Sequence, residues 1–265
     1  LSGRMPIEDA GIPAELTLFL SQHTGAPSKP LVNVGDEVKR GQKIAEAQGA
    51  VSACLHAPTS GKVKAIEPRY QPVLGRESDA IVIAPDGEHA LYEGLAPVGD
   101  DLEAISQDKI REVVRESGLV GLGGAAFPTA VKLQPPPDKK IDTYLLNGAE
   151  CEPYLTADQK LMEEAAQDIV FGFRALMKGA GVEKGIICIE DNKPDAIRAM
   201  EEAAKPYPEL EVAVLSHRYP RGGEKQLIEA VLGREVPPPP GLPLDVGVIV
   251  SNVGTAHALA VALKT

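Results

Sequence analysis

Two patterns of apolar and polar positions divide the chain. Between residues 14 and 85 the apolar positions come in short groups separated by turn residues. Val32, Val34 and Val38 surround a Gly35-Asp36 turn, Gly41-Gln42 makes another before Lys43-Ile44-Ala45, and Leu55 to Ile66 repeats the arrangement with Pro58 and Gly61 as breaks. Short strands broken by turns are predicted. From Asp101 the period lengthens: Leu102, Ile105, Ile110, Val113 and Val114 share one face of a helix ending near Gly118. Ile141 to Leu146 is a buried strand in this reading. Leu161, Ala165, Ile169, Phe173 and Met177 recur every four residues, predicting one long helix closed by Gly179 and Gly181. A strand at Gly185 to Glu190, a helix at Pro194 to Ala204, a strand at Leu210 to Leu215, a helix at Glu224 to Leu232, a strand at Val246 to Val250 and a helix from Thr255 complete the series.

Strand and helix in alternation predict an α/β domain with a mostly parallel sheet over residues 101–265. The preceding residues, 1–100, resemble the flattened β-sandwich of biotinyl and lipoyl domains. Carriers of that type need a lysine between the two halves as the acylation point. The stretch Glu46 to Cys54 has none, so the small domain is read as a scaffold.

The formal charge of −11 and a pI near 5.0 exclude a general nucleic-acid binder. Cys54, Cys151 and Cys188 are too few and too scattered for a disulfide framework or a cysteine-rich metal cage, which points to a reducing compartment. His23, His56, His89, His217 and His257 show no metal-ligand spacing and are read as surface or turn residues. No metal site is expected. No apolar run approaches the ~20 residues needed to cross a bilayer, so direct membrane insertion is not expected. The last predicted helix meets the end of the sequence without a stop signal, the mark of a piece cut from something longer.

Four polar, glycine-bearing segments carry the candidate chemistry. Ser117 to Lys132 has glycines at 118, 121, 123 and 124, Pro128 at a helix start and Lys132 about a turn on, a set suited to a phosphate. Gly121-x-Gly123-x-x-Ala126 matches the dinucleotide fingerprint in letters but follows a helix, where the fingerprint follows a strand. Asn147 to Tyr154 follows a predicted strand, where open α/β sheets bind ligands, and offers an amide with Glu150 and Glu152 for ribose or ribityl hydroxyls. Capping of the next helix accounts for Thr156 and Asp158, but Asn147 to Glu152 lie too far upstream for it. Arg218 to Gln226 and Ser251 to Thr255 are further turns of this kind; the four are expected to converge on one crevice.

Gly-Leu-Gly-Gly-Ala-Ala-Phe-Pro-Thr at 121–129, Asn-Gly-Ala-Glu-Cys-Glu-Pro-Tyr at 147–154, Gly-Gly-Glu-Lys-Gln at 222–226 and Ser-Asn-Val-Gly-Thr at 251–255 resemble, in order, the RnfC subunit of the Rnf electron-transport complex. They are more distantly similar to the flavin-bearing, NADH-oxidising subunit of respiratory complex I. Leu122, Ala149, Ser251 and Lys225 depart from the complex I pattern and agree with the Rnf one. The resemblance implies a Rossmann-like domain that holds FMN while NADH delivers hydride to it, with no side chain acting as general acid or base. It implies that Gly121, Gly123, Gly124 and Lys132 lie along the FMN and that Asn147 and Glu150 bind its ribityl chain or ring. Glu152 and Phe127 would face the nicotinamide nucleotide, Glu224 would approach both, and Asn252 and Thr255 would hold the phosphate. It further implies [4Fe–4S] clusters only in a region beyond this sequence, which has no Cys-x-x-Cys. The expected partners are NADH, the other subunits of a membrane-bound complex and, indirectly, ferredoxin; the expected place is the cytoplasmic side of the inner membrane, held by those subunits. A scaffold or adaptor of a redox complex that holds no flavin is the alternative.

Overall fold

The computed structural model describes Gly3 and residues 5–265. Their contacts separate into two units: residues 9–98 with 112–131, and residues 99–111 with 132–264.

The first unit is built from β1 (Leu16–Phe19), β2 (Lys29–Pro30), β3 (Glu37–Val38), β4 (Lys43–Glu46), β5 (Leu55–His56), β6 (Gly61–Gln71) and β7 (Arg76–Pro85). They form one antiparallel sheet in the order β1-β7-β6-β3 and a second in the order β2-β4-β5. Val32, Val38, Ile44, Ala57, Val63, Ile81 and Ile83 meet in its core. Short strands are found where the turn residues crowd together. β6 and β7 depart from that reading, with 11 and 10 residues in a long hairpin. Pro68 is accommodated within β6, opposite Asp79, so this proline does not end the strand. His23 also departs from the surface reading. It is buried, with Nε2 3.0 Å from the Ala26 carbonyl and accepting the Ala53 N–H at 3.1 Å.

α1 (Gln107–Glu116) and the single turn α2 (Thr129–Lys132) flank the glycine segment. The second unit then runs β8 (Thr143–Gly148), α3 (Ala157–Glu164), α4 (Ala166–Ala180), β9 (Lys184–Glu190), α5 (Pro194–Ala204), β10 (Leu210–Leu215), α6 (Glu224–Leu232), a 3-10 turn (Pro243–Val246), β11 (Val248–Asn252) and α7 (Val253–Lys264). All strand pairs in its sheet are parallel, in the order β10-β9-β8-β11. The chain steps outward from β8 through β9 to β10, then returns past β8 to β11. Strand order therefore reverses between β8 and β11, the place where doubly wound sheets open a crevice. Leu145, Ile186, Cys188, Val248 and Val250 pack with Leu227 and Ile228 of α6 on one face. On the other, Tyr144 meets Phe173 of α4 edge to face at 5.7 Å, as alternation along a strand requires.

The four-residue stripe from Leu161 to Met177 is one face of two helices. Ala165 leaves helical geometry at φ −133°, and α3 ends where α4 begins. Its N–H still bonds Leu161 O and its carbonyl accepts from Ile169, so the apolar face continues across the break. Leu102 and Ile105 precede α1 and are buried there. His257 stands in α7, half-buried, where a surface or turn position is expected. Among the described residues no helix is long and apolar enough to cross a membrane.

Candidate functional site

The parallel register sets Asn147, near the end of β8, directly beside Asn252, the last residue of β11. Two side-chain amides thus stand together at the reversal of strand order. Asn147 Nδ2 donates to the Gly222 carbonyl at 2.9 Å, while its Oδ1 accepts the Ala149 N–H at 3.0 Å. That amide ties the loop before α6 to the loop after β8. The approach is close enough that a Cβ on Gly222 would stand 2.3 Å from the Ala149 carbonyl oxygen, so only glycine fits. Asn252 Oδ1 accepts the Gly254 N–H at 2.7 Å and its Nδ2 donates to Asp158 at 2.6 Å.

Lys132 reaches the same region from α2. Its ammonium donates to the Val250 carbonyl at 2.9 Å and lies 3.5 Å from Glu224, the first residue of α6. α2 itself has four residues. The helix expected after Pro128 is thus a single turn: prolines at 135–137 stop it, and it is too short to gather a useful dipole toward a phosphate.

Glu150 corrects a second expectation. Its carboxylate accepts the N–H groups of Asp158 and Gln159 at 3.0 and 3.3 Å and pairs with Lys193 at 3.4 Å, both side chains being buried. It caps α3 from seven residues before the helix starts. Sequence distance misleads here because the loop after β8 folds back over the helix end, whereas Thr156 makes no side-chain cap bond. Asp158, beside it, has its carboxyl pushed up to about 6, chiefly by burial and also by the nearby Glu150 and Glu152 carboxylates, against the opposing Asn252 hydrogen bond and the Lys193 charge.

Of the remaining predicted residues in this unit, Glu152 is exposed and Thr255 is fully buried in the first turn of α7. Cys151 is buried against the same loop, with its sulfur 3.2 Å from where a Gly222 Cβ would stand. Lys193 and Glu190, both buried, belong to this neighbourhood and were not anticipated. The signal was present: Glu190 directly follows the apolar run Gly185 to Ile189 at the carboxyl end of a strand.

Gly121, Gly123, Gly124 and Phe127 belong to the first unit. Their loop follows α1, closes through the Gly121 N–H to Phe127 carbonyl bond and a bridge between Val120 and Pro128, and is held by Thr24 bonding the Ala125 and Ala126 carbonyls. Ala126, at φ +50°, takes the left-handed conformation. A Cβ on Gly121 would make only ordinary contacts at 3.7 Å, and one on Gly124 would have nothing within 4 Å. The fold leaves room for side chains at both positions. A cavity of about 580 Å³ elsewhere in that unit, lined by Lys39, Glu93, Ser60 and Asp86 among others, contains none of the predicted residues.

A four-stranded parallel sheet in this order, with amides and carboxylates gathered at the reversal, follows a barrel-sandwich unit in the chain. The chain belongs to the Nuo51 FMN-binding domain family, which it matches over residues 114–261; residues 1–88 match the RnfC barrel sandwich hybrid domain. It is 48% identical over 259 residues to the C subunit of the proton-translocating ferredoxin:NAD(+) oxidoreductase complex of Clostridium ljungdahlii, covering 98% of this chain and 56% of that protein. Against the Na(+)-translocating counterpart of Acetobacterium woodii it is 47% identical over 264 residues, 100% of this chain and 59% of the other. The C subunit of the ion-translocating oxidoreductase complex of Pseudomonas aeruginosa is 46% identical over 261 residues, 97% and 33% of the two chains. The chain therefore spans between a third and three-fifths of the length of these relatives. Among solved structures, an NAD+-reducing [NiFe]-hydrogenase in the H2-reduced state superposes with a TM-score of 0.54 at 27% identity, over 63% of this chain and 33% of that one.

Proposed function

We propose that this chain is the NADH-interacting flavoprotein part of a membrane-associated, ion-translocating electron-transport complex of the Rnf type. The observation that carries the reading is the pair Asn147 and Asn252, side by side at the reversal of strand order, in a chain of the FMN-binding family. FMN, when bound, supplies hydride exchange with a nicotinamide nucleotide; the protein supplies orientation and electrostatics.

The donor set fits such a group. Asn147 and Asn252 are amides able to hold ribityl hydroxyls or phosphate oxygens, and Lys132 brings a positive charge to the same strand ends. Glu150 fixes the loop that follows Asn147 and β8, while exposed Glu152, with Glu224 near Lys132, is available to the nicotinamide nucleotide. Thr255, buried in the first turn of α7, is assigned with Asn252 to the phosphate on the family match. The family match includes the glycine loop, and Gly121, Gly123, Gly124 and Phe127 are assigned to the flavin and nucleotide on that ground. The free Gly124 position agrees with it, since nothing in the fold demands a glycine there.

NAD(H) is the proposed nucleotide and FMN the bound cofactor. One-electron relay through [4Fe–4S] centres, and through them ferredoxin, lies outside these residues. Partner subunits would hold the chain at the cytoplasmic side of the membrane.

Adding FMN to the purified chain tests this directly. A yellow complex whose flavin bands bleach with NADH under anaerobic conditions is expected. A folded chain that stays colourless and takes up no FMN would favour the flavin-free scaffold. Gly124→Val should weaken FMN at least ~10-fold with no change in melting temperature, because its side chain meets open space.

A further inference from the structure

A group of acids behind this site is unused by the function proposed above. Glu190 ends β9, is fully buried, and no side chain hydrogen-bonds either carboxylate oxygen; the Arg218 backbone N–H is its donor. Lys193 is the buried cation nearby, and its ammonium faces Glu150 at 3.4 Å. Asp158 completes the cluster from α3.

The charged groups around it come from every neighbouring element. Asp191 and Lys193 follow β9, and His217 with the Arg218 backbone N–H follows β10. Glu150 and Glu152 come from the loop after β8. Glu163 of α3 feels Lys193 but is paired with Lys160. Three carboxyls thus feel one buried ammonium, which touches Glu150, and ionising all of them would leave two negative charges without a paired cation. Proteins avoid that state by keeping a proton. Burial raises Glu190 above its ordinary value, opposed by His217 and Lys193, and raises Asp158 to about 6.

We infer that Glu190, Lys193, Glu150 and Asp158 form a proton-binding cluster: it holds one proton on Glu190 at neutral pH and takes up a second on Asp158 when a phosphate-bearing ligand brings negative charge to the ends of β8 and β11. Asn252 is the link, since its Nδ2 donates to Asp158 while its Oδ1 accepts the Gly254 N–H. Negative charge beside Asn252 repels ionised Asp158 and not the protonated acid. The proton comes from solvent, and no bond to the ligand forms or breaks. The uptake on Asp158 rests on the FMN reading; the proton on Glu190 does not.

The ligand-free chain is tested first, by 13C-carboxyl NMR and thermal melts of wild type, Glu190→Gln and Asp158→Asn. One carboxyl should remain protonated at pH 7 and vanish from the Glu190→Gln spectrum, and that variant should melt within ~2 °C of wild type, a neutral amide having replaced a neutral acid. If every carboxyl is ionised at pH 7 in wild type, or if Glu190→Gln melts about 10 °C lower as loss of a buried ion pair would require, the inference is wrong. The NMR result stands even if a variant fails to fold.

The second arm measures FMN affinity from about pH 6 to 8. Wild-type affinity relative to Asp158→Asn should fall as pH rises above 6, by up to ~10-fold per unit. The second ionisation of phosphate, near ~6, is common to both proteins and cancels in the ratio. A ratio independent of pH refutes the coupling. A chain that takes up no FMN refutes the coupling and the function proposed above together, and leaves the first arm to decide the proton on Glu190.

Discussion

Glu150 does two jobs with one carboxylate: it accepts two N–H groups at the start of α3 and pairs with buried Lys193. Removing it strands an ammonium inside the protein, which is costlier than losing the cap alone. Glu150→Ala should therefore destabilise the chain by about 3–5 kcal/mol in urea unfolding, and Glu150→Gln by less, because the amide oxygen still accepts a helix N–H. Asp158 sets a pH dependence of stability. Its folded value near 6 lies above the ordinary aspartate value of 3.8. The folded state thus holds this proton more tightly than the unfolded chain. Stability from this group is complete below the unfolded value and is lost as pH rises through 6, by at most roughly 3 kcal/mol. Asp158→Asn should flatten that slope in denaturation curves taken between about pH 4 and 7. A wild-type curve with no such fall would contradict the burial of Asp158.

At the level of elements, much of the α/β part was legible. α5, β10 and α6 occupy the residues expected of them, because each has a clear apolar period, with Pro194 opening α5 and Gly233 closing α6. The break at Ala165 was not legible, since a stripe of apolar residues specifies which face is buried and is blind to one residue leaving helical φ. The long β6–β7 hairpin was hidden because Pro68 and the polar positions around it read as turn, while its far pairing partners, such as Ser78 for Arg69, cannot be seen locally. In the site, Asn147 and Asn252 were found from their positions at strand ends, and Glu190 was readable in the same way, but the capping role of Glu150 depends on how the loop after β8 folds back, which no local pattern encodes. Gly172 tests the packing of α4 on α7: a Cβ there would stand 1.8 Å from the Ala256 carbonyl oxygen. Backbone cannot yield as a side-chain tip can. Gly172→Ala should cost about 1–3 kcal/mol or more by thermal unfolding, despite alanine's better helix propensity. A neutral or stabilising result would show that the two helices cross less closely.

On the scale of the whole molecule, the chain joins a barrel-sandwich unit without the carrier lysine to a parallel sheet with a strand-order reversal, and its acidity disfavours nucleic acid as a partner. The proposed FMN site rests on two separate observations, the family match over residues 114–261 and the register that sets two asparagines side by side. A crystal structure of this chain grown with FMN is the measurement that bears most directly on that agreement. The flavin nucleotide should lie at the carboxyl ends of β8 and β11, within hydrogen-bond reach of Asn147 or Asn252. FMN bound elsewhere, with both amides still engaged only by Gly222, Ala149, Gly254 and Asp158, would contradict it.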